Sequence, residues 1–218
     1  MAVKLYGANV CPFVHRVRLL LAEKSIEHDY VAIDLRNKPD WYHDVLPTGR
    51  VPLLEHNEHR IWESAICCEY LEEAFRDPGF MPEEPAARAH VRLAIDWISS
   101  KFVPLFYRFM ATQDEEERKK QRQDLEDILK ELDQKLGEKP GPYFFDELTL
   151  ADFELYPWFE RWCVLEHYRD YPVPTELENI QTWLGAMRER DSVKELAEPD
   201  QFYIDQYSVY AEGKKTPS

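Results

Sequence analysis

Residues 9–21, NVCPFVHRVRLLL, place a cysteine directly before a predicted helix. Pro12 follows Cys11, and proline suits the first position of a helix, so we expect a helix over about 11–24. A thiol at a helix N-terminus lies beside unpaired backbone N–H groups and the positive end of the helix dipole, which stabilise a thiolate. The alternative is a small buried apolar residue, which is common for free cysteine. From the residues alone, the two interpretations have equal weight.

Basic residues follow Cys11 on the same predicted helix. His15 and Arg16 lie one turn later, and Arg18 adds further positive charge. These are the ingredients that favour a thiolate over a thiol. Val14 stands where a C-x-x-C motif needs its second cysteine, so a reactive Cys11 would work by a monothiol mechanism.

The net charge and composition of the chain disfavour several kinds of partner and location. The 218 residues carry a formal net charge of −15 with a pI of about 4.9, which disfavours nucleic acid and anionic membrane surfaces as partners. We expect neither a transmembrane helix nor a signal peptide, because no apolar run approaches the ~20 residues of a membrane-spanning helix and the start MAVKLYG has no long apolar stretch. The spacing of the cysteines fits neither a zinc motif nor a disulfide framework; they are Cys11, Cys67, Cys68 and Cys163. We therefore expect no metal site, and we expect all four thiols to be free in a reducing cytoplasm.

The first third of the chain alternates strand and helix patterns. VKLYG and HDYVAIDL predict strands, and VPLLEH and RIWE predict a hairpin joined at NE. Helices are predicted over 11–24 and 64–75, and a short one in KPDWYHDVL. The order β-α-β-α-β-β-α indicates a small α/β domain with a parallel pair of strands and a hairpin.

A proline-rich segment at 76–85 predicts a domain boundary, and the chain beyond it is predicted to be helical. The two domains are expected at 1–78 and 79–218. Thr149 and Asp152 have the spacing of a capping box at the start of a helix. The predicted helices cover about 85–112, 114–136, 150–167 and 175–190, with a short one near Gln201.

Five motifs in order resemble the glutathione transferase family, and within it the omega class. They are CPFVHR, LRNKPDWY, GRVPLLE, WESAICCEYLEEAF and LADFELYPWFERW. Together they span nearly the whole chain. Most transferases of the superfamily carry tyrosine or serine near the first helix, whereas the omega class carries cysteine, as this chain does. The resemblance implies an N-terminal thioredoxin-like domain followed by an all-helical C-terminal domain. It also favours the reactive interpretation of Cys11.

The resemblance implies a glutathione site in the first domain. It implies a cis bond before Pro52 that exposes the backbone of Val51 to pair with glutathione as an added strand would. Pro52 could instead be an ordinary proline at a strand start. Phe13 and Leu35 match positions that line the same site.

Three polar residues would hold the charges of glutathione. Ser64 and the N–H groups of its helix suit the γ-glutamyl carboxylate, and Glu63 could meet the ammonium group. Lys38 matches the omega lysine near the glycyl carboxylate. Without the resemblance, Ser64 would be a plain helix cap and Lys38 a solvated charge.

A substrate pocket is expected between the domains, with Trp158 and Arg161 as the residues assigned to it. Aromatic residues of this region are more often core than pocket. The C-terminal stretch QFYIDQYSVY departs from the omega pattern, which places a tryptophan over the site; Phe202, Tyr203 and Tyr207 are the candidates for that position. This departure leaves the substrate class open.

The expected function is that of a glutathione-dependent thiol transferase or reductase that works through a Cys11–glutathione mixed disulfide. The partners would be glutathione and a small electrophilic or disulfide substrate, in a homodimer. The alternative is a non-enzymatic binding protein of the same fold, like the chloride intracellular channel proteins or the stringent-starvation proteins. The full set of Cys11, Lys38, Glu63 and Ser64 argues against a binding module, which has no need of it.

Overall fold

The computed structural model describes residues 2–214, and its backbone contacts divide the chain into two compact units. The first unit ends at Met81 and the second begins at Pro82. The first combines a four-stranded sheet with helices, and the described part of the second is built from helices. The predicted fold class, a thioredoxin-like domain followed by an all-helical domain, is confirmed.

The strands of the first unit are β1 (Val3–Gly7), β2 (His28–Ala32), β3 (Leu53–His56) and β4 (His59–Trp62). They form one sheet in the order β2-β1-β3-β4. β1 pairs in parallel with β2 and antiparallel with β3, and β3 forms an antiparallel hairpin with β4. The central strands β1 and β3 are mostly buried, as expected of strands covered on both faces, whereas β2 and β4 have half-buried and exposed residues.

Two residues at strand ends explain the local turns. Asn57 lies in the two-residue turn between β3 and β4 with φ 56°, a left-handed conformation that asparagine tolerates. A Cβ atom on Gly7 would lie 2.4 Å from Cγ1 of Val14. Gly7 is therefore needed for the close approach between the end of β1 and the following helix.

The helices of the first unit are α1 (Pro12–Glu23), α2 (Asp40–Val45) and α3 (Ser64–Ala74). Pro12 occupies the first position of α1, as predicted. Val14, Val17 and Leu21, which recur at helical spacing, are fully buried, so this face of the helix packs into the core. α1 packs against α3.

A buried ion pair fixes the end of the first unit. The Lys24 Nζ atom lies 2.8 Å from Oε2 of Glu72 and donates to the Phe75 carbonyl at 2.7 Å. Oε1 of Glu72 accepts from the backbone N–H groups of Phe80 and Met81. Further hydrogen bonds to both charges offset part of the cost of burying them. The first part of the predicted linker is therefore anchored to the first unit.

The second unit contains more helices than the sequence predicted. The helix expected over 85–112 has a π-helical turn at Ile98–Phe102. The short helix near Gln201 has 12 residues, and the helix Asp191–Leu196 was not predicted. The helices are α4 (Pro85–Trp97), α5 (Val103–Ala111), α6 (Glu115–Gly137), α7 (Leu150–Glu160), α8 (Cys163–Arg169), α9 (Glu178–Arg188), α10 (Asp191–Leu196) and α11 (Asp200–Ala211).

The helix predicted over 150–167 is broken between α7 and α8. A continuous helix would direct the N–H of Arg161 to the carbonyl of Pro157. Instead the Arg161 guanidinium donates to that carbonyl at 2.8 Å, and the Arg161 N–H turns to Phe159. A side chain thus replaces the backbone hydrogen bond, and the chain is free to change direction.

A buried carboxylate organises the start of α7. Asp152 accepts hydrogen bonds from the backbone N–H groups of Thr149 and Phe144, each at 2.8 Å, and from Nε1 of Trp183 at 2.9 Å. The capping box predicted for Thr149 and Asp152 is present. This one side chain therefore ties α7 to the preceding loop and to α9.

Candidate active site

Cys11 occupies the N-cap position of α1, with φ −77° and ψ 118°. Its N–H donates to the Ala8 carbonyl at 2.9 Å, and its own carbonyl accepts from His15 at 3.1 Å. The residue is partly exposed, and the first turn of α1 contains no acidic residue. The structure therefore places this thiol at the positive end of a helix dipole, an environment that favours the thiolate.

The basic residues of α1 have partners of their own. His15 and Arg16 are buried. Arg18 donates to Oδ1 of Asn9 at 3.0 Å, and its guanidinium lies 5.1 Å from the ring centre of Tyr30. Arg18 therefore supports the turn before the helix as well as contributing positive charge to it.

Arg16 connects α1 to the start of α3. Its Nη1 atom donates to Oγ of Ser64 at 3.0 Å, across 48 residues of sequence, and both side chains are buried. The guanidinium carbon also lies 4.9 Å from the ring centre of Phe13, within the range of a cation–π contact. No sequence signal indicated this contact. From the sequence, Arg16 was expected only to add positive charge near Cys11.

Glu63, and not Ser64, is the N-cap of α3, and Ser64 is the first helical residue. Glu63 has φ 66° and ψ 116°, a conformation that is unusual for a residue with a side chain. Such conformations cost about 1–3 kcal/mol and are concentrated at functional sites. The Glu63 side chain is exposed, and its Oε1 lies 3.9 Å from Nη1 of Arg50.

The loop before β3 carries the cis bond that the resemblance implied, between Val51 and Pro52. The hydroxyl of buried Tyr42 donates to the Arg50 carbonyl at 2.7 Å and so holds this loop. Burial raises the pKa of Tyr42 above its usual value, so its hydroxyl keeps its proton and remains a donor.

Leu35 and Val51 are brought together by one apolar cluster. Both are half-buried and pack against Tyr6, Ile33, Tyr42, Leu46 and Leu53. The resemblance assigned these two residues to one site, and both pack against the same buried cluster although they lie 16 positions apart in the sequence.

Lys38 lies just before α2, and its side chain is half-buried. Among residues 2–214, no ion pair or hydrogen bond involves the Lys38 ammonium. Such a cation is available to bind an anion from solution.

Trp158 and Arg161 lie in the second unit and are fully buried. The Arg161 guanidinium lies 4.4 Å from the ring centre of Tyr203. A substrate could contact these two side chains only after their neighbours moved, so their assignment to a pocket stays a prediction. Of the C-terminal candidates, Tyr203 and Tyr207 are buried and Phe202 is half-buried.

The other cysteines differ from Cys11. Cys67 and Cys68 are buried. Cys67 donates to the Ile61 carbonyl at 3.4 Å, and burial raises its pKa to about 12. Burial, with Asp200 nearby, also raises the pKa of Cys163 to about 12. Both thiols stay protonated near neutral pH, which makes them poor nucleophiles.

Within residues 2–214, no group of three or more His, Cys, Asp or Glu side chains is arranged to hold a metal ion. The same part of the chain has no helix long and apolar enough to span a membrane.

Both units of the chain match known protein families and related sequences. The model of the glutathione S-transferase N-terminal domain matches residues 10–74, and that of the C-terminal domain matches residues 113–186. Glutathione S-transferase omega-1 of Sus scrofa is 33% identical over 196 residues, which cover 89% of this chain and 80% of that protein. Glutathione S-transferase omega-2 of Homo sapiens is 30% identical over 190 residues, with 85% and 76% covered.

Solved structures give the same result. The crystal structure of glutathione transferase Omega 3C from Trametes versicolor has a TM-score of 0.87 and 30% identity, and the match covers 97% of this chain and 91% of that one. The Tau class enzyme of mango, at 23% identity and a TM-score of 0.87, shares the fold. The chain therefore belongs to the glutathione S-transferase family and, within it, to the omega class.

Proposed function

We propose that this glutathione transferase is a thiol transferase or reductase in which Cys11 is the catalytic nucleophile. It would remove glutathione from mixed disulfides and reduce substrates of the dehydroascorbate type. The observation that carries the proposal is the position of Cys11, a partly exposed thiol at the N-cap of α1. A helix N-terminus favours the thiolate, which is the form that attacks a disulfide.

The first step is attack by the Cys11 thiolate on the glutathionyl sulfur of a mixed disulfide. A Cys11–glutathione disulfide forms, and the other half of the substrate leaves as a thiolate. A second glutathione thiolate then attacks the glutathionyl sulfur, which restores the Cys11 thiolate and releases glutathione disulfide. The net reaction converts one mixed disulfide and one glutathione into one thiol and one glutathione disulfide.

The second step would use external glutathione, because Cys11 has no partner cysteine in a C-x-x-C motif. Buried Val14 takes the place of a second cysteine in the motif. Cys67 and Cys68 are buried on α3. Reduction of dehydroascorbate would use the same site and oxidise two glutathione molecules for each substrate reduced. Conjugation to electrophiles would be weak, since a nucleophilic cysteine forms a mixed disulfide instead of activating bound glutathione.

Glutathione would be bound by the charged and polar residues of the first unit. Ser64 at the first turn of α3 suits the γ-glutamyl carboxylate, since a helix N-terminus favours an anion. The exposed Glu63 would take the ammonium group in place of Arg50, and Lys38 would take the glycyl carboxylate. Val51 would pair with the peptide backbone, and Phe13 and Leu35 would line the site.

We further propose a homodimer and a cytoplasmic location. Trp62 and Ile66, on either side of the start of α3, have 48% and 57% of their surface exposed, which fits a contact with a second copy. A reduced Cys11 and a supply of glutathione both require a reducing compartment. Light scattering of wild type and Trp62→Glu tests the dimer: a monomeric wild type would contradict it.

Steady-state kinetics with a glutathionylated peptide test the enzyme itself. We expect a ping-pong pattern for wild type, no turnover for Cys11→Ser, and nearly normal turnover for the matched control Cys67→Ala/Cys68→Ala. Cys11→Ala is expected to raise conjugation, because the mixed disulfide can no longer form. Thiol transfer retained in Cys11→Ser would contradict the mechanism, and a wild type that binds glutathione without turnover would favour a binding protein.

A further inference from the structure

The hydrogen bond between Arg16 and Ser64 connects α1 to the first residue of α3, within the proposed site. Arg16 lies on α1, the helix that Cys11 caps, and its guanidinium donates to Oγ of the first residue of α3 at 3.0 Å. The Arg16 residue is 2% exposed and Ser64 is 6% exposed. A charged hydrogen bond between two buried groups is stronger than one at the surface, because little water competes for it.

The chemistry of the two groups fixes the direction of the Ser64 hydroxyl. A guanidinium has donors and no acceptor, so Oγ of Ser64 must act as the acceptor in this contact. The hydroxyl proton therefore points away from Arg16 and is left to donate to another group. At the first turn of a helix, where backbone N–H groups favour an anion, that group can be a carboxylate.

The position of the Arg16 charge is itself held in place. The Phe13 ring lies 4.9 Å from the guanidinium carbon, on the same face of α1 one turn earlier. Arginine stays charged at any ordinary pH, and a charge with low exposure acts on its neighbours with little screening. A carboxylate at the start of α3 would thus meet an oriented hydroxyl and a fixed positive charge behind it.

We propose that Arg16 is a positioning residue for recognition of the γ-glutamyl α-carboxylate, acting through Ser64 without contacting glutathione. The inference rests on the proposed function, which places that carboxylate at Ser64. It separates two roles for the basic residues of α1. Arg16 serves ligand recognition, whereas Arg18, bonded to Asn9, supports the turn that carries Cys11.

The test compares glutathione with a tripeptide in which γ-aminobutyrate replaces the γ-glutamyl residue and so lacks the α-carboxylate. Calorimetry gives the Kd of each for wild type, Arg16→Gln, Ser64→Ala and the double variant. We expect Arg16→Gln to bind glutathione about tenfold more weakly, the effect of one hydrogen bond to a charged group, and to bind the analogue as wild type does. In the Ser64→Ala background, Arg16→Gln should cost clearly less than it does alone.

Arg18→Gln is the matched control, since it removes an arginine from the same helix and should leave the ratio of the two Kd values unchanged. If Arg16→Gln does not fold, Arg16→Lys keeps the buried charge without the planar donor pair, and a smaller loss confined to glutathione is expected. An equal loss for both ligands, or additive effects of Arg16→Gln and Ser64→Ala, would overturn the inference. A wild type that does not distinguish the ligands would instead overturn the proposed placement of glutathione.

Discussion

The Glu63 carboxylate lies 3.9 Å from the Arg50 guanidinium, and both side chains are about three-fifths exposed. An ion pair this exposed contributes between about 0 and 1 kcal/mol. A ligand ammonium can therefore replace Arg50 at little cost. The backbone beside both residues belongs to the proposed glutathione site, at Val51 on one side and Ser64 on the other.

The first prediction concerns the ammonium group of glutathione. Glu63→Gln should weaken glutathione binding by a few-fold at low salt and less at high salt, because an exposed charge is screened. N-acetylglutathione, which has no ammonium group, should bind the variant and wild type equally. A loss of the same size for both ligands would show that Glu63 does not meet the ammonium.

The second prediction concerns the strained backbone at Glu63. Glycine adopts the φ of 66° found here at a lower cost than glutamate does. Glu63→Gly should therefore raise the free energy of unfolding by about 1 kcal/mol. The same variant should bind glutathione less well, since the carboxylate is lost. Urea unfolding of Glu63→Gly beside Glu63→Gln separates the two effects. A stability gain in both variants, or in neither, would contradict the strain argument.

The third prediction concerns Lys38. Lys38→Ala should lower glutathione affinity in a salt-dependent way, because the proposed contact between its ammonium and the glycyl carboxylate would be partly exposed to solvent. The matched ligand is the glycyl ethyl ester of glutathione, which should bind both proteins alike. Titrations at low and high salt measure the effect. An unchanged affinity for glutathione would remove Lys38 from the site.

The fourth prediction concerns the pH dependence of thiol alkylation. Burial raises the pKa of Cys67 and of Cys163 to about 12, so at pH 8 only about one in ten thousand of either thiol is ionised. As pH rises toward 12, their thiolate fraction and reactivity should rise. Peptide mapping after brief iodoacetamide treatment at pH 7–8 should find the label on Cys11 alone. Comparable labelling of Cys67 would contradict the assignment.

Local patterns predicted the elements that position the site. Pro12 marked the start of α1, and the pair Asn57-Glu58 marked the hairpin turn, because both signals act within a few residues of sequence. The capping box of Asp152 was equally local. The contact between Arg16 and Ser64 was not predictable, since it joins residues 48 apart that only the packed helices bring together.

The other features that the sequence did not predict also depend on contacts that local patterns do not show. The break after α7 depends on the Arg161 side chain taking the carbonyl of Pro157, and the periodicity of apolar residues does not reveal such an exchange. The backbone conformation of Glu63 is set by the junction of β4 with α3. The family resemblance supplied Lys38 and Leu35, which no local pattern would have selected.

The central claim is that Cys11 alone carries glutathione during turnover. Intact-protein mass spectrometry, with peptide mapping, follows the wild type after mixing with a glutathionylated peptide and again after excess glutathione is added. The account predicts one glutathionyl group on Cys11, which excess glutathione removes, and none on Cys11→Ser. Transfer of glutathione by Cys11→Ser, or a disulfide between Cys11 and Cys67 or Cys68 that is needed for turnover, would contradict it.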